Sequence, residues 1–101
     1  MWRVTASGKV RLTGTLICAT ERECDVIRRY LPEHIRLTRQ EPGCLSFEVT
    51  QSDDPLVWTV EELFADRAAF DAHQTRTRMS EWARQTAAIR RDYQIIVADR
   101  S

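Results

Sequence analysis

Glycine, proline and cysteine are scarce, three of each in 101 residues, and each scarcity closes off a class of function. With only Gly8, Gly14 and Gly43 there is no glycine-rich loop to cradle a phosphate, so nucleotide and dinucleotide binding have no motif to rest on. Cys18, Cys24 and Cys44 are odd in number and include no C-x-x-C pair, which leaves no zinc site; they read as reduced, buried small hydrophobes. The two histidines, His34 and His73, stand far apart, and neither H-E-x-x-H nor a facial triad is legible. No nucleophile elbow points to Ser/His/Asp chemistry, and Cys44, opening a strand, reads as core and not as a nucleophile. Charge of either sign is not in excess: fifteen cations, fourteen of them scattered arginines, balance fifteen anions. Neither nucleic acid nor an anionic membrane is therefore an expected partner. No window approaches the roughly 18 apolar residues of a membrane span, and Met1-Trp2-Arg3-Val4-Thr5 does not open a signal peptide, so a reducing cytoplasm is the expected location.

What is present suits one domain, since 43% of the residues are hydrophobic. Residues 1–9 carry no usable period and read as an arm or short edge strand, leaving 10–98 as the domain. From Val10 the chain alternates, with Val10, Leu12, Leu16 and Cys18 on one face, as a half-buried strand does. Gly14 falls on that apolar face and marks a bulge, a close approach of backbone or ligand, or a weak point. Thr20-Glu21-Arg22-Glu23 is a capping box that starts a helix, with Cys24, Ile27, Leu31 and Ile35 as its stripe, His34 and Thr38 beside it, and Gly43 as the stop. Pro32 is expected to kink or split that helix, making room beside Tyr30 and His34.

Alternation over Cys44–Gln51 and again over Leu56–Phe64, joined by the four turn formers Ser52-Asp53-Asp54-Pro55, predicts a hairpin. Asp66 caps a short helix to about Gln74, and Thr75 or Thr77 caps another that shows Met79, Trp82, Ala83, Thr86 and Ile89 and closes on Arg90 and Arg91. Tyr93–Ala98 is a last strand, apolar enough to be covered on both faces. The order is the split βαβ pattern of an α+β, ferredoxin-like sandwich with the first and third strands central and helices on one face. The other face, expected to be apolar, is expected to be covered by a second copy, giving a homodimer packed through the open sheet face.

The stretch from Glu61 to His73 joins strand to helix. Trp58, Val60, Glu62 and Phe64 share one sheet face, while Phe70 and His73, three apart, share one side of the helix. Aromatics, a carboxylate and an imidazole converging there would make a wall of a small-molecule pocket; from these residues alone the simpler reading, Phe64 and Phe70 as core, Asp66 as a cap and His73 as a surface histidine, is the favoured one.

The run Glu41-Pro42-Gly43-Cys44-Leu45-Ser46-Phe47-Glu48-Val49, followed by Asp54-Pro55 and then by Glu62-Leu63-Phe64-Ala65-Asp66-Arg67-Ala68-Ala69-Phe70-Asp71-Ala72-His73, resembles the antibiotic biosynthesis monooxygenase family, which includes small quinol monooxygenases. The likeness spans about residues 10 to 98. It implies a dimeric α+β barrel and the oxygenation of a phenolic or quinol-type small molecule without metal, flavin or haem. On that reading Trp58, Phe64, Phe70 and Trp82 wall the site, Tyr30 and Glu62 complete substrate binding, His73 or His34 takes a proton, and Arg84 steadies developing negative charge. Family enzymes carry Trp at the position of Phe64 and use Tyr near that of Phe70; this chain has Phe at both. Two alternatives stand beside this reading: a haem-binding or haem-degrading relative, and a non-catalytic binding or sensor dimer of the same fold.

Overall fold

The computed structural model describes residues 8–97. The proposed arm lies mostly outside them, as does Ala98. The described elements are β1 (Val10–Ile17), α1 (Glu21–Arg39), β2 (Cys44–Gln51), β3 (Val57–Phe64), α2 (Arg67–Arg78), α3 (Glu81–Gln85) and β4 (Arg90–Val97). They form a four-stranded sheet in the order β2-β3-β1-β4 with antiparallel neighbours, so the first and third strands are central as expected.

Each element begins where local chemistry allows. The Thr20 hydroxyl accepts from the Glu23 amide, and the Glu23 carboxylate accepts from the Ala19 amide at 2.7 Å, one residue before the cap. Helix α1 then runs through Pro32 without dividing, so of the kink or split expected there the split does not occur. Proline removes one N–H from the ladder, but Arg28, whose carbonyl loses its partner, is on the exposed side where water replaces the bond. The buried stripe is Cys24, Ile27, Leu31, His34 and Thr38, so His34 and Thr38 belong to the stripe itself while Ile35 is only half-buried.

The hairpin loop spans residues 52–56, one longer than its turn formers suggest. The Asp54 carboxylate accepts from the Leu56 amide at 3.0 Å, which draws Leu56 into the turn. Helix α2 extends to Arg78, and α3 is capped by Ser80, whose hydroxyl accepts from the Ala83 amide at 3.1 Å, and not by Thr75 or Thr77. Consequently Arg90 and Arg91 open β4 instead of closing a helix. The apolar end of β4 is not covered on both faces: Ile95, Ile96 and Val97 are about half exposed, because β4 is an edge strand.

The core lies between the sheet and the helices. Val10, Leu12 and Leu16 of β1, Trp58, Val60 and Phe64 of β3 and Phe47 and Val49 of β2 meet Cys24, Ile27 and Leu31 of α1. Phe47 and Phe64 are sealed from solvent, and truncating either to alanine is expected to cost about 3–5 kcal/mol. Gly14 faces Tyr93 across the β1–β4 pair, where an added Cβ would stand 2.1 Å from the Asp92 carbonyl oxygen. The glycine therefore serves close approach of a neighbouring backbone. The uncovered face is mixed and not simply apolar: Ile17, Val57 and Leu63 alternate with Arg11, Thr13 and Glu61, and Glu61 accepts from Thr13 and pairs with Arg11 at 3.7 Å.

Candidate functional site

Strand β3 presents Trp58, Val60, Glu62 and Phe64 to the helices in strict alternation, and the third of these is a carboxylate. Two residues past the strand, Asp66 accepts from the Ala69 amide at 2.8 Å and starts α2 at a fixed angle to the sheet. Phe70 and His73 consequently turn inward over Phe64: the Phe64 and Phe70 rings are 5.7 Å apart, and the Phe64 and His73 rings 4.9 Å. From α1 comes His34, stacked parallel on Trp82 of α3 at 4.9 Å and 5.9 Å from the His73 ring. Between these helices and the sheet lies a cavity of about 340 Å3, bordered by Leu12, His34, Glu62, His73, Trp82 and Tyr93, with Thr77 and Arg91 also on its wall.

The polar groups around it are organised by a residue outside both strand and helix. Glu41, in the α1–β2 turn, accepts from His73 Nδ1 at 2.8 Å, and its other oxygen accepts from Arg76 Nε; Arg76 also donates to the Thr38 hydroxyl at 2.9 Å. A carboxylate paired with a guanidinium is an acceptor, so the imidazole carries its proton on Nδ1 and offers a lone pair on Nε2. Nε2 lies 3.7 Å from Glu62 Oε1 and 3.4 Å from the Thr77 hydroxyl. Burial lowers the His73 pKa below the ordinary histidine value, against the raising effect of Glu41, so the ring is neutral at neutral pH.

Glu62 is 6% exposed and its Oε1 has no hydrogen-bond partner. Burial, assisted by the charge of Glu41, pushes its pKa up to about 7. His34 is pressed the opposite way, down to about 3, by burial first and then by His73, Arg76 and Arg91. Its Nδ1 also lacks a partner. Burial raises the Tyr93 hydroxyl to about 12, which keeps it a neutral donor. Two buried polar side chains on this wall thus have unfilled hydrogen-bonding capacity, the condition of a site built to receive something.

Of the site residues expected from sequence, His34, His73, Glu62 and Trp82 meet at this cavity. Phe64 and Phe70 lie behind His73 and do not line it. Tyr30 borders a smaller space of about 120 Å3 on the other side of the His34–Trp82 stack. Trp58 is not brought to the site. It shares a face with Glu62 but sits four residues along the strand, roughly 13 Å away, where the Arg28 guanidinium lies 5.9 Å from its ring centre. Nor is Arg84. Two positions along α3 from Trp82, which points inward, it is rotated to the solvent side and pairs with Glu81.

Two arginines, Arg78 and Arg91, stand on the cavity wall, and Arg91 is fixed by the Thr86 and Ile89 carbonyls, both at 2.9 Å, and by the Thr86 hydroxyl at 2.8 Å. Glu41, Thr77, Arg91 and Tyr93 were not read from the sequence as site residues. Only Glu41 left a signal, as the first residue of the Glu41-Pro42-Gly43-Cys44 run. A second cleft, of about 410 Å3, opens behind His73 between that run and Ala68, Ala69 and Ala72 of α2. The Cys44 thiol on its wall is raised in pKa by burial, as suits a packing residue and not a nucleophile. Among the described residues no three His, Cys, Asp or Glu side chains are grouped to hold a metal ion, and no helix is long and apolar enough to cross a membrane.

A four-stranded antiparallel sheet in this order, covered by helices on one face, defines an α+β, ferredoxin-like protein. The chain belongs to the antibiotic biosynthesis monooxygenase family, whose model matches residues 19–85. Among solved structures it is similar to Rv0793 from Mycobacterium tuberculosis, at 20% identity and a TM-score of 0.75, covering 93% of this chain and 98% of that one. A Bacteroides thetaiotaomicron protein provisionally assigned as an antibiotic biosynthesis monooxygenase is 24% identical, with a TM-score of 0.73 and coverage of 92% and 90%. PA3566 from Pseudomonas aeruginosa is 22% identical, with a TM-score of 0.70 and coverage of 97% and 99%. No curated protein matches the sequence.

Proposed function

We propose that this protein is a cofactor-independent monooxygenase that oxidises a phenolic or quinol-type small molecule with O2. The observation that carries the reading is the Glu41–His73 pair, which aims an unprotonated, buried Nε2 at a cavity walled by Trp82 and Leu12. A phenol placed there loses its proton to Nε2, with Glu41 stabilising the imidazolium that forms. The resulting anion is the electron source. It reduces O2, one oxygen atom bonds to a ring carbon, and the other leaves as water with the two hydrogens the ring gives up. The protein's part is to hold the anion, keep water out and stabilise charge, which falls to Arg91 and the Tyr93 hydroxyl in place of Arg84.

A haem-binding role is disfavoured by Glu62. The one nitrogen of His73 free to bind iron has this carboxyl 3.7 Å from it. A sensor of the same fold would bind the aromatic without consuming oxygen. Oxygen uptake with a panel of quinols and polyphenols separates the readings: turnover above the spontaneous rate that falls in His73→Ala supports the oxygenase, and binding without uptake replaces it with the sensor.

The working unit is a homodimer joined through the open sheet face, where Ile17, Val57, Leu63 and Ile96 supply apolar area and the Arg11–Glu61 pair supplies registry. Three unpaired thiols, Cys18 and Cys24 buried among them, fit a cytoplasmic setting.

A further inference from the structure

We infer that the cavity selects aromatics carrying two hydroxyls on adjacent ring carbons, seated on His73 Nε2 and Glu62 Oε1 as paired acceptors. The inference takes from the oxygenase reading only the class of ligand, an aromatic with acidic hydroxyls. The selection follows from geometry. The two acceptor atoms lie 3.7 Å apart on side chains 2% and 7% exposed, and both residues line the same cavity. Glu62 Oε1 has no partner at all, and Nε2 has only the Thr77 hydroxyl at 3.4 Å, longer than a good O–H donor makes.

Both atoms therefore lack a strong donor, and they lack it side by side. Vicinal hydroxyls on one rigid ring deliver two donors in that arrangement, each splaying slightly outward to its own acceptor, with no further loss of freedom once the ring is placed. Hydroxyls on opposite edges of a ring cannot both reach acceptors this close. A single hydroxyl satisfies one atom and leaves the other buried and bare, the arrangement by which polar sites reject analogues most strongly. The remaining walls suit the ring: Trp82, held parallel against His34, and Leu12 of β1 offer apolar surface in the same cavity.

The test is anaerobic calorimetric titration, in which no turnover occurs, using the ortho and para isomers of dihydroxynaphthalene with a naphthol as the single-hydroxyl control. The ortho isomer is expected to bind at least about tenfold more tightly than either, equivalent to about 1.4 kcal/mol. In Glu62→Leu, which removes the acceptor, that preference should shrink to about threefold or less. Equal affinities for the two isomers in the unaltered protein, an ortho preference that survives in Glu62→Leu, or no binding of any of the three overturns the inference. The unaltered protein decides the first comparison without any variant, and thermal melting confirms that Glu62→Leu is folded. A second arm with oxygen separates this inference from the reading beneath it. Preferential ortho binding without oxygen uptake sinks the oxygenase and leaves the selection standing; uptake confined to the para isomer does the reverse.

Discussion

Glu41 and His73 meet across 32 residues of sequence, with the Nδ1–H of the imidazole 2.8 Å from the carboxylate and Arg76 holding that carboxylate's other oxygen. Replacing Glu41 by glutamine keeps the shape and removes the charge that fixes the tautomer. Glu41→Gln is expected to lower kcat for oxygen uptake by about 100-fold or more, while Glu41→Asp recovers part of the loss. Steady-state rates across a pH series check this, and an unchanged rate in Glu41→Gln contradicts the assignment.

Glu62 makes stability fall as pH rises. Its folded pKa of about 7 lies above the ordinary glutamate value of 4.5, so between those values the unfolded chain has released a proton that the folded chain keeps. Ionising it in the fold costs on the order of 3 kcal/mol above pH 7, a penalty absent below 4.5. Glu62→Gln should therefore gain stability relative to the parent at pH 8 and much less at pH 5. Urea denaturation at the two values measures the difference; equal gains would place the carboxyl in contact with solvent.

His34 works from the acid side. Its pKa falls from 6.5 to about 3 on folding, so stability is full above 6.5 and is lost as pH drops toward 3. The full loss is on the order of 5 kcal/mol, with His73 acting in the same direction. His34→Gln gives up the stack on Trp82 yet is expected to show a shallower decline between pH 7 and pH 4. Melting temperatures over that range test it, and parallel declines would remove His34 as a source of acid sensitivity.

Gly14→Ala places a methyl group 2.1 Å from the Asp92 carbonyl oxygen, a backbone atom that cannot swing aside. Loss of about 3 kcal/mol or more is expected, read as a lower urea midpoint. A change under about 0.5 kcal/mol would show that the β1–β4 pair separates more easily than the register implies.

Leu63→Arg sets a charge into the uncovered face beside Arg11. Light scattering at micromolar concentration should show a dimer for the parent and a monomer for the variant. A monomeric parent would leave the open face unexplained.

Three strands were legible because they alternate cleanly, whereas the start of β4 at Arg90 was not, and the two caps at Thr20 and Asp66 were legible because each side chain accepts within one turn of itself. Ser80 was not, since Thr75 and Thr77 compete with it as local acceptors and only the packing of Trp82 selects among them. In the site, Glu62 and His73 could be paired from sequence because one strand end and one helix turn connect them. Arg91 and Tyr93 come to the cavity, and Glu41 to the His73 ring, only through closure of the whole fold, which no local period encodes. Trp58 and Arg84 failed for geometric reasons: a shared strand face does not mean proximity, and two positions along a helix is nearly half a turn. The Phe64 and Phe70 rings lie behind His73, while the polar side chains of the cavity wall include Glu62, Tyr93 and Arg91.

At Gly43 an added Cβ would stand 2.3 Å from the Cβ of Ala69, so at this one point on the wall of the cleft they share the turn bearing Glu41 touches the helix bearing His73. The two positions share one allowance of volume. Over evolutionary time a side chain at 43 requires a smaller residue at 69, and a lineage that added one without that change would separate the carboxylate from the imidazole it orients. Residues 43 and 69 should therefore be inherited as a matched pair wherever the acid–base couple is kept, and drift independently where it has been lost.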